Sequence, residues 1–144
     1  MKLPVIALAA MGAALLFAAP AHAQPEVIRT QLDSAAVLVG NEGFRLQDDI
    51  VAGELGQGAS DEYELELEGG MTYIIIGVCD GDCSDLDLAL TTSGGDDVDS
   101  DYETDDVPMV MVEVERGQTY SLKVEMAACS VEPCAFGIGV YGKR

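Results

Sequence analysis

The chain has 144 residues and a formal net charge of −19, from 26 acidic against 7 basic side chains, with four cysteines, one histidine and no tryptophan. That length allows one domain of ordinary size. The acidity excludes nucleic acid and anionic membrane surfaces as partners, because both require a basic footprint.

At 49% hydrophobic the chain is too apolar for an acidic disordered tail, and 6% aromatic residues leave little material for stacking platforms.

Met1-Lys2 is a short basic start, Val5 to Ala19 is an apolar run, and Ala21-His22-Ala23 ends it with small residues at the −3 and −1 positions. This three-part pattern predicts a signal peptide over 1–23, cleaved after Ala23. The apolar run is shorter than the roughly 20 residues of a spanning helix, so no integral membrane segment is expected after cleavage. The predicted location is periplasmic or secreted. Cleavage removes His22, the only histidine, and with it every mechanism that needs an imidazole base or ligand.

Residues 24–45 read as an N-terminal helix and linker. Ile28, Leu32, Ala35, Ala36 and Val39 form one apolar stripe over Glu26 to Val39. Pro25 suits the first turn and Gly40 a stop just past the end. The stripe is expected to dock on the body of the domain.

From Leu46 the period changes to two, and residues 46–144 read as one domain. Ile50 to Leu55 is a candidate strand. Asp61 to Glu68 alternates Tyr63, Leu65 and Leu67 with Glu62, Glu64, Glu66 and Glu68, a half-buried strand with one wet face. Met71 to Val78 is apolar almost throughout and reads as a central strand. Leu86, Leu88 and Leu90 alternate with Asp85, Asp87 and Ala89. Val98 to Tyr102 is a short polar strand expected at an edge. Val110, Val112 and Val114 mark another strand, and so do Tyr120, Leu122, Val124 and Met126. Ala135 to Tyr141 is the last. Glycine pairs and Arg116-Gly117-Gln118 separate them. The predicted fold is all-β: an antiparallel jelly-roll-like β-sandwich of about eight strands with one N-terminal helix.

Cys79, Cys83, Cys129 and Cys134 are an even count in an exported chain, which reads as disulfides. Four cysteines allow three pairings. The short turn-like segments between them favour the local pairs Cys79–Cys83 and Cys129–Cys134. Zinc is the rival, but the C-x3-C and C-x4-C spacings differ from the common zinc ribbons and no histidine remains to help.

Several stretches occur together in a familiar order: Tyr63-Glu64-Leu65, Glu68-Gly69-Gly70-Met71-Thr72-Tyr73, Asp85-Leu86-Asp87-Leu88, Gly95, Asp101, and Gly117-Gln118-Thr119-Tyr120-Ser121-Leu122-Lys123-Val124. From about Gly53 to Gly142 the chain resembles the bacterial pre-peptidase C-terminal (PPC) domain. The resemblance implies a jelly-roll-like sandwich that is non-catalytic and usually sits beside a secreted peptidase domain. Some relatives bind extracellular polymers and some bind calcium. Here the domain is expected to stand alone behind the predicted signal peptide, a departure from the usual setting, and it adds the helix and two cysteine pairs.

Asp80, Asp82, Asp85 and Asp87 cluster within eight residues and are the candidate calcium ligands, since hard cations want several oxygen donors. Their spacing does not fit the EF-hand template. The blander reading of these Asp residues is hydrogen bonding to turn backbone. Asp97, Asp99, Asp101 and Glu103 share one face if extended, with Asp105 and Asp106 following. That pattern suits a solvated edge strand that resists aggregation, with divalent binding and salt tolerance as alternatives.

Enzyme readings are poor. Ser121 and Lys123 as a dyad fit a generic amphipathic strand, Gly53, Gly56 and Gly58 lack the G-x-G-x-x-G spacing, and no aromatic floor supports glycoside hydrolysis. The expectation is an exported non-catalytic binding or accessory module, with no certain cofactor and an unknown protein or extracellular polymer as partner. The alternatives are a calcium-dependent structural or adhesion domain and an acidic envelope protein with a purely structural role.

Overall fold

The computed structural model describes residues 24–47 and 51–144. The expected signal peptide at 1–23 lies outside the described residues, and so does Ile50 at the start of one expected strand.

Helix α1 spans Gln24–Gly40. Pro25 falls in its first turn, where a missing N–H breaks no intrahelical bond. Ile28, Leu32, Ala35 and Val39 are all buried. The chain leaves the helix through Gly43 at φ 93°, a left-handed conformation that costs glycine little. Arg45 Nη1 donates to the Gly40 carbonyl at 3.0 Å, satisfying one of the free acceptors at the helix end.

Nine strands follow among the described residues: β1 (Arg45–Leu46), β2 (Val51–Leu55), β3 (Ser60–Leu67), β4 (Met71–Cys79), β5 (Cys83–Thr92), β6 (Asp97–Asp101), β7 (Met109–Val114), β8 (Gln118–Cys129) and β9 (Cys134–Lys143). One sheet has the order β2-β9-β4-β7, with β1 also pairing β9; the other has the order β3-β8-β5-β6. All pairings are antiparallel. From β2 to β9 the order is that of a jelly roll, two Greek keys folded face to face. The strand expected at Val98 to Tyr102 is β6, and it is an edge strand as expected.

The main core lies between the sheets. Leu86, Leu88, Leu90, Leu122, Val124 and Met126 meet Ile75, Val110, Phe136 and Ile138. A second core lies on the other face of the β2-β9-β4-β7 sheet, where Ile28, Leu32 and Val39 of α1 cover Ile74, Ile76, Val78 and Tyr141. This explains why Met71 to Val78 is a continuous apolar run. β4 is buried on both faces, by the opposite sheet and by the helix, so it has no wet side to alternate toward. The β3-β8-β5-β6 sheet has no such cover among the described residues and is here called the open sheet. It keeps the alternation.

Both disulfides form locally, Cys79–Cys83 between β4 and β5 and Cys129–Cys134 between β8 and β9. Each therefore ties a connection that passes from one sheet to the other. Cys83 and Cys129 are opposite one another in the β5–β8 pairing, so the two bridges lie side by side at one end of the sandwich. Such short loops place each bridge at the low end of about 2–4 kcal/mol.

Candidate functional site

The outer face of the open sheet is built by strand register. Residues directly opposite across antiparallel strands point to the same side. One row across β3, β8 and β5 is Ser60, Glu125 and Asp87; the next is Glu62, Lys123 and Ala89; the third is Glu64, Ser121 and Thr91. Their inward neighbours Leu86, Leu88, Leu90, Leu122 and Val124 are buried, which commits these side chains to the outside. The result is a sheet face with carboxylates on three adjacent strands.

Lys123 stands in the middle of this face. Its Nζ is 2.6 Å from Glu125 Oε2. The hydrogen bond and charge of Glu125 raise the Lys123 pKa, and Glu62 adds to the effect. A lysine that serves as a general base needs the opposite shift. The Ser121–Lys123 pair thus has a protonated lysine held by a carboxylate, not a base facing a nucleophile.

Asp87 shows the strain of this crowding. Burial raises its pKa first, then the charges of Asp85, Glu125 and Asp101; Lys123 pulls the other way. Asp85 Oδ1 and Asp87 Oδ1 are shielded from solvent and have no hydrogen-bond partner. At the other end of the face, Glu62, Glu64, Thr91, Ser93, Thr119 and Ser121 line a shallow cleft of about 490 Å³.

The four candidate calcium ligands have different environments. Asp80 is buried, 4% exposed. Its Oδ2 accepts the Ala135 N–H at 2.8 Å and its Oδ1 accepts the Asp82 N–H at 3.2 Å. Asp80 therefore pins the β4–β5 connection to the start of β9. The Asp82 carbonyl accepts both the backbone N–H and the hydroxyl of Ser130, joining the two disulfide-bridged connections. Asp85 and Asp87 belong to β5 and the outer face of the open sheet. Among the described residues no group of three or more His, Cys, Asp or Glu side chains is arranged to hold a metal ion.

The second acidic stretch has a role the sequence pattern did not suggest. Asp99 Oδ2 accepts the Met111 N–H at 2.8 Å, and Asp101 Oδ2 accepts the Met109 N–H at 2.9 Å. β7 is the edge of the helix-covered sheet, so these N–H groups point away from β4. Carboxylates from one sheet thus cap the open edge of the other. Glu103, expected on the same extended face, lies beyond the end of β6, where its N–H donates to Asp101 Oδ1 at 3.1 Å. Only the alternation of Asp residues hinted at this. The partner strand is set by the sandwich topology and is invisible locally.

No protein-family model matches the chain, and no curated protein sequence matches it. Among solved structures, the crystal structure of Aeromonas hydrophila PliG, a periplasmic lysozyme inhibitor of g-type lysozyme, is similar at a TM-score of 0.45 and 12% sequence identity. That match covers 68% of this chain and 86% of the other.

Proposed function

We propose that this protein is an exported, non-catalytic binding module of PPC-like type, and that the outer face of its open sheet receives a cationic segment of a protein partner. The observation that carries this reading is the array of Glu62, Glu64, Asp87 and Glu125 around a single lysine, beside a cleft lined by Glu62, Glu64 and hydroxyl groups. A carboxylate pair flanked by hydroxyls suits an arginine or lysine side chain, because the carboxylates only accept and each hydroxyl oxygen has lone pairs that accept as well. Such complementarity speeds encounter and selects basic partners over acidic ones. The ordered Gly69-Gly70, Asp85-Leu86-Asp87-Leu88 and Gly117-Gln118-Thr119-Tyr120 segments support the PPC-like part of the reading. The two disulfides support export, since they persist in oxidising compartments.

The test is calorimetric titration of the protein with an oligoarginine peptide across a salt series. Binding that weakens with salt, and weakens further in a Glu62→Gln/Glu64→Gln variant, is the expected result. Absence of binding at low salt, or binding indifferent to both changes, would overturn the reading.

A further inference from the structure

We propose that Lys123 is a built-in competitor for the partner's cation, so that it sets how many positive charges a ligand needs to occupy the acidic face. This inference rests on the binding face proposed above and concerns how that face selects. Across the described strands β3, β5, β6 and β8 the open sheet contains a single Lys or Arg, and it is Lys123. It is on β8, which pairs with both β3 and β5, and register puts Glu62 on one side of it and Ala89 on the other. Ala89 leaves space where a larger side chain would fix the ammonium from that direction. Lys123 Nζ turns along its own strand to Glu125 instead, at 2.6 Å.

The pair is accessible. The Lys123 and Glu125 side chains are 42% and 34% exposed. Exposed ion pairs hold weakly, because water and salt compete for both partners. A guanidinium or ammonium that arrives at this face can therefore displace Lys123, but it gains only the difference between the two contacts. A lone cation replaces one ammonium by another and gains almost nothing. A segment with several cations displaces Lys123 from Glu125 and from the facing Glu62, and in the same event reaches Glu64 and the adjoining cleft, adding exposed contacts that are each too weak to hold a single charge. Lys123 thereby discriminates against single charges and favours clustered ones.

The experiment compares the wild type with Lys123→Gln and with Lys143→Gln. Both variants remove one positive charge. Lys143 is a matched control because it lies away from the open sheet, with its Nζ 5.3 Å from the centre of the Phe44 ring. Each protein is titrated with an oligoarginine peptide and with free arginine amide. Lys123→Gln should strengthen peptide binding on the order of fivefold, the scale of one exposed ion pair. It should also allow measurable binding of arginine amide, while Lys143→Gln changes either affinity by less than about twofold. Equal strengthening by the two variants would show that only net charge matters and would overturn the role of Lys123. An unchanged Lys123→Gln variant would do the same. A wild type that binds no peptide at low salt fails earlier, at the binding face itself, so the two failures are distinguishable.

Discussion

Gly137 on β9 lies directly beneath helix α1, and replacing it with alanine tests whether the helix is seated on the sheet as described. A Cβ at Gly137 would overlap Ile28 Cγ2, and it would come within 3.0 Å of Leu32 Cδ1. Both atoms belong to α1, and both residues are nearly inaccessible, Ile28 at 3% and Leu32 at 1% exposed. The obstructing Ile28 methyl is on a β-branched side chain with one strongly preferred helical rotamer, so it cannot swing aside without strain. The helix itself must lift, and Ile74, Ile76 and Val78 would lose close contact. Overpacking of this kind costs typically 1–3 kcal/mol. A chain of this size loses about 3–6 °C in Tm per kcal/mol. Urea denaturation followed by circular dichroism would measure the loss. Ile28→Ala alone should cost about 2–5 kcal/mol by opening a cavity. The double variant should cost less than the two losses together, with a coupling of about 0.5–3 kcal/mol, because the new methyl fills the space the isoleucine leaves. A neutral Gly137→Ala, or strict additivity with Ile28→Ala, would refute the packing argument.

Asp87 gives a pH prediction. Burial, followed by Asp85, Glu125 and Asp101, holds its folded-state pKa above the ordinary value. The folded state therefore binds that proton more tightly than the unfolded chain does. The associated stability is present below the unfolded value and is lost as pH rises through the folded one. Asp87→Asn should raise Tm at neutral pH and give no gain below the ordinary carboxylate pKa; an equal gain at both would refute this cause. Asp80→Ala should cost about 1–3 kcal/mol, because it strands the buried Ala135 N–H, and calorimetric melting would detect it. Asp99→Ala combined with Asp101→Ala should expose the β7 edge and promote association that rises with concentration in size-exclusion chromatography. A purely monomeric double variant would rule out the capping role.

Local rules were enough wherever burial was one-sided. The alternation in β3, β5, β7 and β8 announced strands with one dry face each, and the short cysteine loops favoured the local pairing that forms. The unbroken apolar run of β4 announced a central strand but not what covers its second face. That cover is α1, and its seat is Gly137, a residue whose meaning appears only when the helix is placed over it. The candidate site was legible as charge and not as arrangement. The Glu residues on one face of β3 were visible in the pattern, whereas their rows with Lys123 and Thr91 depend on register between strands far apart in sequence.

The acidic residues then separate by what donates to them. Asp80 is buried beside two backbone N–H groups and is consumed by them, so it belongs to the fold. Asp99 and Asp101 meet the unpaired N–H groups of β7 and close an edge. Each of these carboxylates has found a donor inside the chain. In the open sheet, β8 pairs through its backbone with β3 on one side and β5 on the other, so no spare N–H of that strand meets the carboxylates beside it. Glu125 has Lys123, while one oxygen each of Asp85 and Asp87 has nothing. Burial first, and then the charges of the neighbouring carboxylates, raise the proton affinity of Asp87. A cation from outside would relieve that repulsion, and its binding would expel protons from Asp87. Buffer-dependent heats in the peptide titration should reveal this release near the folded-state pKa of Asp87. The Asp87→Asn variant should abolish it, and a wild-type heat independent of buffer there would separate Asp87 from the binding face.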